Sequence, residues 1–472
     1  MAVPGHRLDR MFNPQTVVVI GDKGPMYMWC QGNLPFKANG GNLYSVQIDE
    51  KEIAGIEALG ITNYRSLADI PEPIDYAVVA VPRQVSPYVL KDLIAAGAAG
   101  AGFFTSGFAE TGEELGIKLQ EQLTTMAREA SFNLVGPNCM GLYLPKAGVR
   151  FSADAPVATD GKIGFLSQSG THGIMFSLVA GAHGLHLSRC ASFGNAIVLD
   201  VSDYLEYLAL DDETEVIGMY VEGVKNGRKF FETLRMASQR KPVVVWKGGQ
   251  TEAGARATMS HTGSLAAPQA VWDGMMRQCG AITTNSLDET IDVVQLLLRS
   301  KPPKGPGMAL LAMTGGQSVS ITDAFAKAGL RVPRLSEQSY RELGEFFNIV
   351  GGSYQNPLDM AGTIQGSPEM LDRILKIIDA DPNIDGVAME LSAMFGTRQW
   401  KARPDSLDRM LDTLRDHMER SPKSFLVVMH PAHEETYVAS IKPKFQERDI
   451  PLFASFERAA AASARALAWA TR

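Results

Sequence analysis

The fold of this chain is indicated by residues 242–249, which read PVVVWKGG. An unbroken apolar run of this length is typical of a strand buried on both faces of a parallel sheet. The two glycines after it indicate a loop at the carboxyl end of the strand. In doubly wound α/β domains, loops at the carboxyl ends of strands carry the ligand chemistry. His261 follows within the residues MSHTGS of 259–264, which predicts a loop histidine near such an edge.

The chemistry available to His261 follows from its residue type. A neutral imidazole, with an ordinary pKa of about 6.5, is a usable nucleophile at pH 7. It can attack phosphorus and carry a phosphoryl group. A lone histidine in a loop is also commonly a surface or hydrogen-bonding residue, and this stretch alone leaves both interpretations open.

The whole chain alternates short apolar strands with helical stretches, which predicts parallel sheets with helices on both faces. Its 472 residues exceed one core, and three domains are expected at 1–148, 149–300 and 301–472. A proline- and glycine-rich stretch at 300–307 reads as a linker, and Ser455 is expected to cap the last helix. The predicted strands are Thr16–Ile20, Leu43–Ile48, Tyr76–Val81, Gly102–Phe104, Asn133–Val135, Lys162–Leu166, Val216–Val221, Pro242–Trp246, Met308–Met313, Gly386–Leu391, Ser424–Met429 and Ile450–Phe453.

Composition and charge argue against several classes of function. The net charge is −7 and there is no basic run, so nucleic-acid binding is not expected. No apolar stretch reaches the roughly 18–20 residues of a membrane span, and the first ten residues lack a signal peptide's apolar core. The four cysteines are widely spaced, which predicts a reducing cytoplasm without a disulfide framework or zinc site. No other metal site is expected, because residues 430–434, HPAHE, contain a proline that prevents helical ligand spacing.

Two loops of one type suggest anion sites. Each follows an apolar strand and opens a helix, where backbone N–H groups and the helix dipole favour phosphate. His172, just after the first loop, is a second histidine that could contact phosphate. An ordinary strand–helix turn has the same composition, so the alternative stays open for either loop alone. The loop residues are Ser167, Gln168, Ser169, Gly170 and Thr171 in the first, and Thr314, Gly315, Gly316 and Gln317 in the second.

An ordered set of motifs runs through the chain. Together they resemble the α subunit of ADP-forming (nucleoside-diphosphate-forming) acyl-CoA synthetases, in the succinyl-CoA synthetase superfamily. The resemblance implies an α/β protein with a CoA-binding Rossmann-like domain followed by two flavodoxin-like parallel-sheet domains. The motifs are GFAETG at 107–112, GPNCMG at 136–141, SQSG at 167–170, GN at 194–195, YVEG at 220–223, SHTGS at 260–264, TGG at 314–316 and NPLD at 356–359.

The resemblance also implies roles for matched residues. His261 would be the phosphohistidine, and Glu222 would accept a hydrogen bond from its ring and hold its tautomer. Glu110 would lie near the thioester chemistry, although an exposed loop carboxylate is the alternative. The two anion loops would hold the phosphorylated ring. The residues expected to border CoA are Gly21, Asp22, Lys23, Gly24, Gln47, Val81, Pro82, Ser106, Gly107, Phe108 and Asn138.

The first domain departs from the family pattern in its loops. Residues 21–25 read GDKGP where the family has a GASxxPG-type loop, and Asp49 stands where a lysine is expected. Lys23 and Arg83 are candidates to supply the missing positive charge.

The expected activity is an acid–CoA ligase that forms acyl-CoA from a carboxylic acid, CoA and ATP, reversibly, through an acyl phosphate and a phosphohistidine. The chain stops at Arg472 and has no P-loop motif. The resemblance therefore implies that ATP, ADP and Mg²⁺ are bound by a separate ATP-grasp β subunit, in an α2β2 assembly. Two alternatives remain: a related acyl or carbamoyl transferase on the same fold, and a non-catalytic sensor of CoA or acyl-CoA.

Overall fold

The computed structural model describes residues 3–262, 268–364 and 367–472, without the side chains of 259–262 and 361. The chain divides into two compact units, Met1–Asn285 and Ser286–Arg472. Within the described residues, the strands form three sheets, two in the first unit and one in the second. No described helix is long and apolar enough to cross a bilayer.

The first sheet has the strand order 3-2-1-4-5-6 with every pair parallel, which is a doubly wound dinucleotide-binding order. The five strands predicted in this region are confirmed, and β3 is additional. Its strands are β1 (Thr16–Ile20), β2 (Asn42–Val46), β3 (Thr62–Tyr64), β4 (Tyr76–Val79), β5 (Gly100–Phe103) and β6 (Asn133–Val135). Its helices are α1 (Asp9–Phe12), α2 (Met28–Gly32), α3 (Leu34–Ala38), α4 (Glu50–Ala58), α5 (Ser86–Ala95) and α6 (Glu114–Glu129), with 3-10 turns at Leu67–Asp69 and Ala109–Thr111.

The second sheet has five parallel strands and one antiparallel edge strand, β7. Leaving β7 aside, the parallel strands follow the flavodoxin-like order 2-1-3-4-5. The strands are β7 (Gly141–Tyr143), β8 (Ile163–Ser167), β9 (Leu187–Ser192), β10 (Val216–Val221), β11 (Val243–Lys247) and β12 (Ile282–Thr284). The helices are α7 (Gly170–Ala182), α8 (Val201–Leu210), α9 (Gly227–Arg240), α10 (Glu252–Thr262) and α11 (Gln269–Cys279).

The third sheet repeats the 2-1-3-4-5 order, again all parallel. Its strands are β13 (Met308–Ala312), β14 (Leu358–Asp359), β15 (Gly386–Glu390), β16 (Ser424–Val428) and β17 (Leu452–Phe453). The helices of this unit are α12 (Leu287–Arg299), α13 (Gly315–Lys327), α14 (Glu337–Gly344), α15 (Ala361–Ile364), α16 (Pro368–Ala380), α17 (Ala393–Ala402), α18 (Pro404–Arg420), α19 (Glu435–Gln446) and α20 (Phe456–Ala470). The expected cap of α20 is confirmed, because the Ser455 hydroxyl accepts from the Arg458 N–H.

Helix α12 packs within the second unit, which begins at Ser286. The domain limits expected from the sequence place this helix in the preceding domain, 149–300. It lies against α20, and Arg458 donates two hydrogen bonds to Asp292 at 2.6 and 2.9 Å. The domain limits 1–148, 149–300 and 301–472 stay a prediction.

The strands β1, β8, β10 and β13 are buried at every residue, as expected for sheets covered by helices on both faces. The topology brings the carboxyl ends of all parallel strands in one sheet to one edge. The predicted ligand-binding residues follow those ends.

Candidate active site

The carboxyl edge of the second sheet gathers three polar residues from neighbouring strands. Glu222 follows β10, Gln168 follows β8, and Lys247 ends β11. The Gln168 Oε1 accepts from the Glu222 N–H at 2.8 Å and from the Gly223 N–H at 3.1 Å. The Lys247 Nζ donates to the Glu222 carbonyl at 2.6 Å. These bonds fix the backbone of Glu222 against the first anion loop.

The Glu222 side chain is 5% exposed and has one oxygen without a partner in the described part of the chain. Its Oε1 accepts from the Tyr220 hydroxyl at 3.3 Å, while Oε2 has no hydrogen-bond partner among the described residues. A buried polar atom without a partner is costly, and such atoms in folded proteins call for a ligand, a water or a further side chain.

Three rings pack together beside this carboxylate. His172 stacks on Tyr220 with centroids 4.1 Å apart, and Trp246 meets both rings edge-on at 4.7 Å. Burial lowers the pKa of His172, which favours the neutral form of its imidazole. Its Nδ1 is buried without a partner in the described part of the chain. Burial likewise lowers the pKa of Lys247, whose ammonium lies 5.5 Å from the Trp272 ring centre.

The first anion loop has the geometry of a helix N-terminus. Ser169 caps α7 by accepting from the His172 N–H at 3.3 Å, and the Ser167 hydroxyl donates to the Ser169 carbonyl at 2.6 Å. Gly170 is the first residue of the helix, and a β-carbon there would lie 3.1 Å from the Met140 Cγ. Thr171 is exposed on the same first turn.

The expectation of a loop at His261 is wrong, because helix α10 runs through Thr262. The small residues around His261 favour a loop, but the preceding run from 252 has ordinary helix-forming content. The His261 side chain and the following residues 263–267 lie outside the described residues. Helix α10 itself lies against the 3-10 turn Ala109–Thr111, which carries Glu110.

Glu110 is half-buried and is held by three donors. Its Oε1 accepts from the Gly107 N–H at 2.6 Å and from the Phe108 N–H at 3.1 Å. Its Oε2 accepts from the Asn195 Nδ2 at 2.6 Å. The alternative of an exposed loop carboxylate therefore does not describe Glu110.

The residues expected to border CoA follow the carboxyl ends of β1, β2, β4, β5 and β6, and so lie at one edge of the first sheet. Gly21 has φ of 78°, and a β-carbon there would come within 2.6 Å of the Val81 Cγ1. The Gln47 Nε2 donates to the Asp22 carbonyl at 2.9 Å, and the buried Asp22 carboxylate accepts from the Cys30 N–H at 2.8 Å. Burial raises the pKa of Asp22.

The remaining residues of this set lie on the same loops. Lys23 and Gly24 are exposed beyond Asp22, Pro82 follows Val81, and Ser106 is exposed before Gly107. Phe108 is buried, and Asn138 has φ of 58° and donates to the Asn195 Oδ1 at 3.4 Å.

The charged residues that depart from the family pattern have local partners. Asp49 caps α4 by accepting from the Lys51 N–H at 3.0 Å. The Arg83 guanidinium donates to the Gly107 carbonyl and, at 2.7 Å, to Glu113. Lys23 is exposed, and the role of Lys23 and Arg83 in phosphate binding stays a prediction.

The second anion loop opens α13 in the third sheet. The Thr314 hydroxyl accepts from the Gln317 N–H at 3.3 Å, and apart from the adjoining residues and backbone of α13, no described atom lies within 4 Å of a β-carbon placed on Gly316. Glu390, at the end of β15, accepts from the Met313 N–H at 2.9 Å. Burial raises the pKa of Glu390, and the charge of Asp359 adds to that effect. Sequence reasoning missed Glu390, because a single acid at a strand end carries no motif.

Comparison with known proteins gives the family. A model of a CoA binding domain matches residues 16–145, and a succinyl-CoA ligase like flavodoxin domain matches residues 160–297. The α subunit of acetate–CoA ligase [ADP-forming] II from Pyrococcus furiosus is 33% identical over 380 residues, covering 80% of this chain and 81% of that subunit. The chain belongs to the family of ADP-forming acyl-CoA synthetases.

Other members of the acyl-CoA synthetase family differ in length. Acetate–CoA ligase [ADP-forming] I from Archaeoglobus fulgidus is 35% identical over 381 residues, covering 80% of this chain and 54% of that protein. This chain thus spans about half the length of that relative. A solved acetyl-coenzyme A synthetase 1 from Ca. Korarchaeum cryptofilum, in complex with phosphate and ADP, aligns with a TM-score of 0.84 and 27% identity, over 98% of this chain and 97% of that one.

The two domain matches cover the loops of this chain that form the candidate site. The CoA binding match spans the loops after β1, β2, β4, β5 and β6, and the flavodoxin match spans the SQSG loop, Glu222 and α10. The predicted family and fold class are confirmed.

Proposed function

We propose that this chain is the α-type subunit of an ADP-forming acid–CoA ligase, which joins a carboxylic acid to CoA while ATP is converted to ADP and phosphate. The observation that supports this most directly is the Glu222 Oε2, a deeply buried oxygen without a partner in the described residues. A carboxylate in that position is suited to accept a hydrogen bond from an imidazole. We assign the His261 ring as that donor and as the phosphoryl carrier.

The proposed reaction has three substitutions. A nitrogen of His261 attacks the γ-phosphorus of ATP, so a P–N bond forms and ADP leaves. A carboxylate oxygen of the acid then attacks that phosphorus, which forms the acyl phosphate and returns the imidazole. The CoA thiol finally attacks the acyl carbon and loses its proton, and inorganic phosphate leaves as the C–S bond forms. Each step is reversible.

Two groups of residues serve the phosphoryl steps. The N–H groups of Ser167–Thr171, at the start of α7, are suited to bind a phosphoryl group, and Thr314–Gln317 at the start of α13 are suited to a second anion. Glu222 holds the tautomer of the ring through its Oε2. We place the CoA thiol chemistry near Glu110 and the CoA itself along the loops of the first sheet.

The nucleotide and Mg²⁺ are assigned to a separate ATP-grasp β subunit in an α2β2 assembly. The name "subunit alpha" of the Pyrococcus relative supports a partner subunit. Other relatives are named for 4-hydroxybutyrate and for trans-feruloyl-CoA, so the acid is proposed only as a carboxylic acid. The four cysteines are buried free thiols, which fits the proposed cytoplasmic location.

The test is phosphoryl labelling of the chain with its β partner and labelled ATP. We expect an acid-labile, base-stable label that His261→Ala abolishes and that the exposed control His433→Ala retains. A panel of acids with CoA then separates a ligase, which forms acyl-CoA and ADP, from a transferase or a sensor. Label that persists in His261→Ala contradicts the assignment of the phosphohistidine.

A further inference from the structure

Asn195 lies at the meeting point of three loops in the first compact unit. It follows β9 of the second sheet, and its backbone N–H donates to the Pro137 carbonyl at 3.0 Å in the loop after β6. Its side chain is 7% exposed and reaches the turn that carries Glu110. One residue thus joins the CoA-binding domain to the flavodoxin-like domain that follows it.

All the polar atoms of the Asn195 side chain are engaged. The Nδ2 donates to the Glu110 Oε2 at 2.6 Å and to the Gln120 Oε1 at 3.0 Å, and the Oδ1 accepts from the Asn138 Nδ2 at 3.4 Å. An amide offers both donors and an acceptor, which no carboxylate or hydroxyl does in the same volume. This pattern specifies an asparagine.

The backbone around Asn195 shows that the loop is held closely. Ala196 has φ of 49°, a left-handed conformation that a residue with a β-carbon seldom adopts. A β-carbon on Gly194 would lie 2.2 Å from the Asn138 carbonyl oxygen. A strained backbone persists only where its surroundings fix it, and such positions concentrate at functional sites.

Asn195 acts on the CoA-binding edge through Glu110. The other Glu110 oxygen accepts from the N–H groups of Gly107 and Phe108, two residues expected to border CoA. Gly107 has φ of 95°, and its carbonyl is held in turn by Arg83. The orientation of the Gly107 peptide therefore depends on the Glu110 carboxylate, and the orientation of that carboxylate depends on Asn195.

We propose that Asn195 is a positioning residue that fixes the Ser106–Phe108 loop for CoA through the Glu110 carboxylate. This inference rests on the proposed function, because it takes CoA as the ligand of that loop. It assigns Asn195 no contact with the reacting atoms. Its loss affects the affinity for CoA more than the rate of the chemical steps.

The test is a reciprocal exchange of donor and acceptor. Asn195→Asp keeps the size of the side chain but places a second carboxylate against that of Glu110. The affinity for CoA should therefore fall by about ten- to a hundredfold, which is the range for losing a hydrogen bond to a charged group. Adding Glu110→Gln restores a bond, because the new amide at position 110 can donate to the new carboxylate at position 195. The carbonyl of that amide still accepts from Gly107 and Phe108. The double variant should regain most of the CoA affinity.

The measurements are calorimetric titration of the full chain with CoA, and KM for CoA against kcat in the assembled enzyme. Asn133→Ala is the matched control, since Asn133 is 8% exposed and its Nδ2 also donates twice, to the carbonyls of Arg7 and Ala99. We expect the control to bind CoA as the wild type does. Thermal unfolding of each variant reports its folding.

The outcomes separate the two proposals. A wild-type chain that takes up no CoA contradicts the proposed function and this inference with it. Wild-type binding together with normal binding by Asn195→Asp overturns the inference alone. Equal losses in Asn195→Asp and Asn133→Ala, or a double variant no better than Asn195→Asp, also overturn it.

Discussion

At the scale of single residues, hydrogen bonds hold Glu222 in a fixed orientation and leave one oxygen of its carboxylate available. Its backbone is fixed by Gln168 and Lys247, and its Oε1 meets the Tyr220 hydroxyl, so only Oε2 is left for a donor among the described residues. The carboxylate is thus held in place before any ring is bound to it. A preset acceptor of this kind lowers the cost of orienting a catalytic imidazole.

The first prediction concerns Glu222→Gln. Glutamine keeps the shape of the site but removes the negative charge, so phosphorylation of His261 should slow by about 10²- to 10⁴-fold, as for other orienting acids. Rapid-quench labelling from ATP with the β partner measures the rate, and CoA titration should be unchanged. Tyr220→Phe removes only one long hydrogen bond to the carboxylate, at 3.3 Å, and leaves its charge in place, so it should slow phosphorylation less, by about tenfold. Labelling of Glu222→Gln at the normal rate would make Glu222 a structural residue.

Site residues that lie in short motifs could be predicted from the sequence, whereas a residue that acts through distant partners could not. Glu222, Glu110 and the loop residues lie in short motifs, and the edge of a parallel sheet brings such motifs together. Asn195 lies in the GN motif but had no role assigned from it, because its partners Glu110 and Gln120 are 85 and 75 residues away. Long-range hydrogen bonds of this kind leave no local pattern in a single sequence.

At the scale of elements, the unpredicted strand β9 shows where the pattern of apolar residues fails. Its sequence includes Ser188 and Arg189, yet every residue is buried. Arg189 donates to the buried Asp211 at 3.1 and 3.3 Å, and the Ser188 and Thr214 hydroxyls lie 2.7 Å apart. Pairing replaces water for these groups, so a polar segment occupies the interior of a sheet. The largely apolar strands β1 and β10, by contrast, were predicted with the bounds that the structure has.

The second prediction concerns the start of α13. Gly316→Val places a side chain in open space, with no described atom beyond the adjoining part of α13 within 4 Å of the β-carbon, so the fold should be retained. The same side chain should block close approach of an anion to the helix N-terminus, with a loss of about ten- to a hundredfold in phosphoryl exchange with the nucleotide partner. Gly274→Val, in equally open space on α11, is the matched control. Comparable exchange rates in the two variants would show that Thr314–Gln317 is an ordinary turn.

A similar test at Gly170 affects packing and anion binding together. A β-carbon on Gly170 would already lie 3.1 Å from the Met140 Cγ, so Gly170→Val perturbs packing as well as the anion loop. We expect it to block the step between acyl phosphate and His261, with some loss of stability. The half-reaction from acyl-CoA and phosphate measures the first effect and thermal unfolding the second. A stable variant with a normal half-reaction would contradict the assignment of this loop.

At the scale of the whole molecule, we expect the buried His417 to make the stability depend on pH. Burial lowers its pKa below the ordinary value, while the nearby Asp379 acts in the opposite direction. The unfolded chain therefore takes up the proton first as the pH falls. This contribution to stability is constant above about pH 6.5, the unfolded value, and is lost as the pH falls below it.

The third prediction follows from this loss of stability at low pH. Urea unfolding of the full chain at pH 8 and pH 5 should show a smaller loss of stability in His417→Phe than in the wild type, because the variant has no imidazole to protonate. His433→Phe, which removes an exposed histidine, is the control. The ring of His417 packs edge-on against Phe425, so the variant retains an aromatic group there. An unaltered pH dependence in His417→Phe would show that other groups determine it.

The fourth prediction concerns which subunit carries the nucleotide chemistry. The proposed function assigns ATP to a separate ATP-grasp β subunit, and the family models that match this chain describe a CoA binding domain and a succinyl-CoA ligase like flavodoxin domain. The purified chain should therefore bind CoA and hydrolyse no ATP. Addition of an ATP-grasp β subunit should restore both phosphoryl labelling and acyl-CoA formation, whereas His261→Ala with the same partner should restore neither. Acyl-CoA formation from ATP by the purified chain alone would contradict the separate subunit. CoA binding without any activity in the presence of the partner would instead favour a sensor.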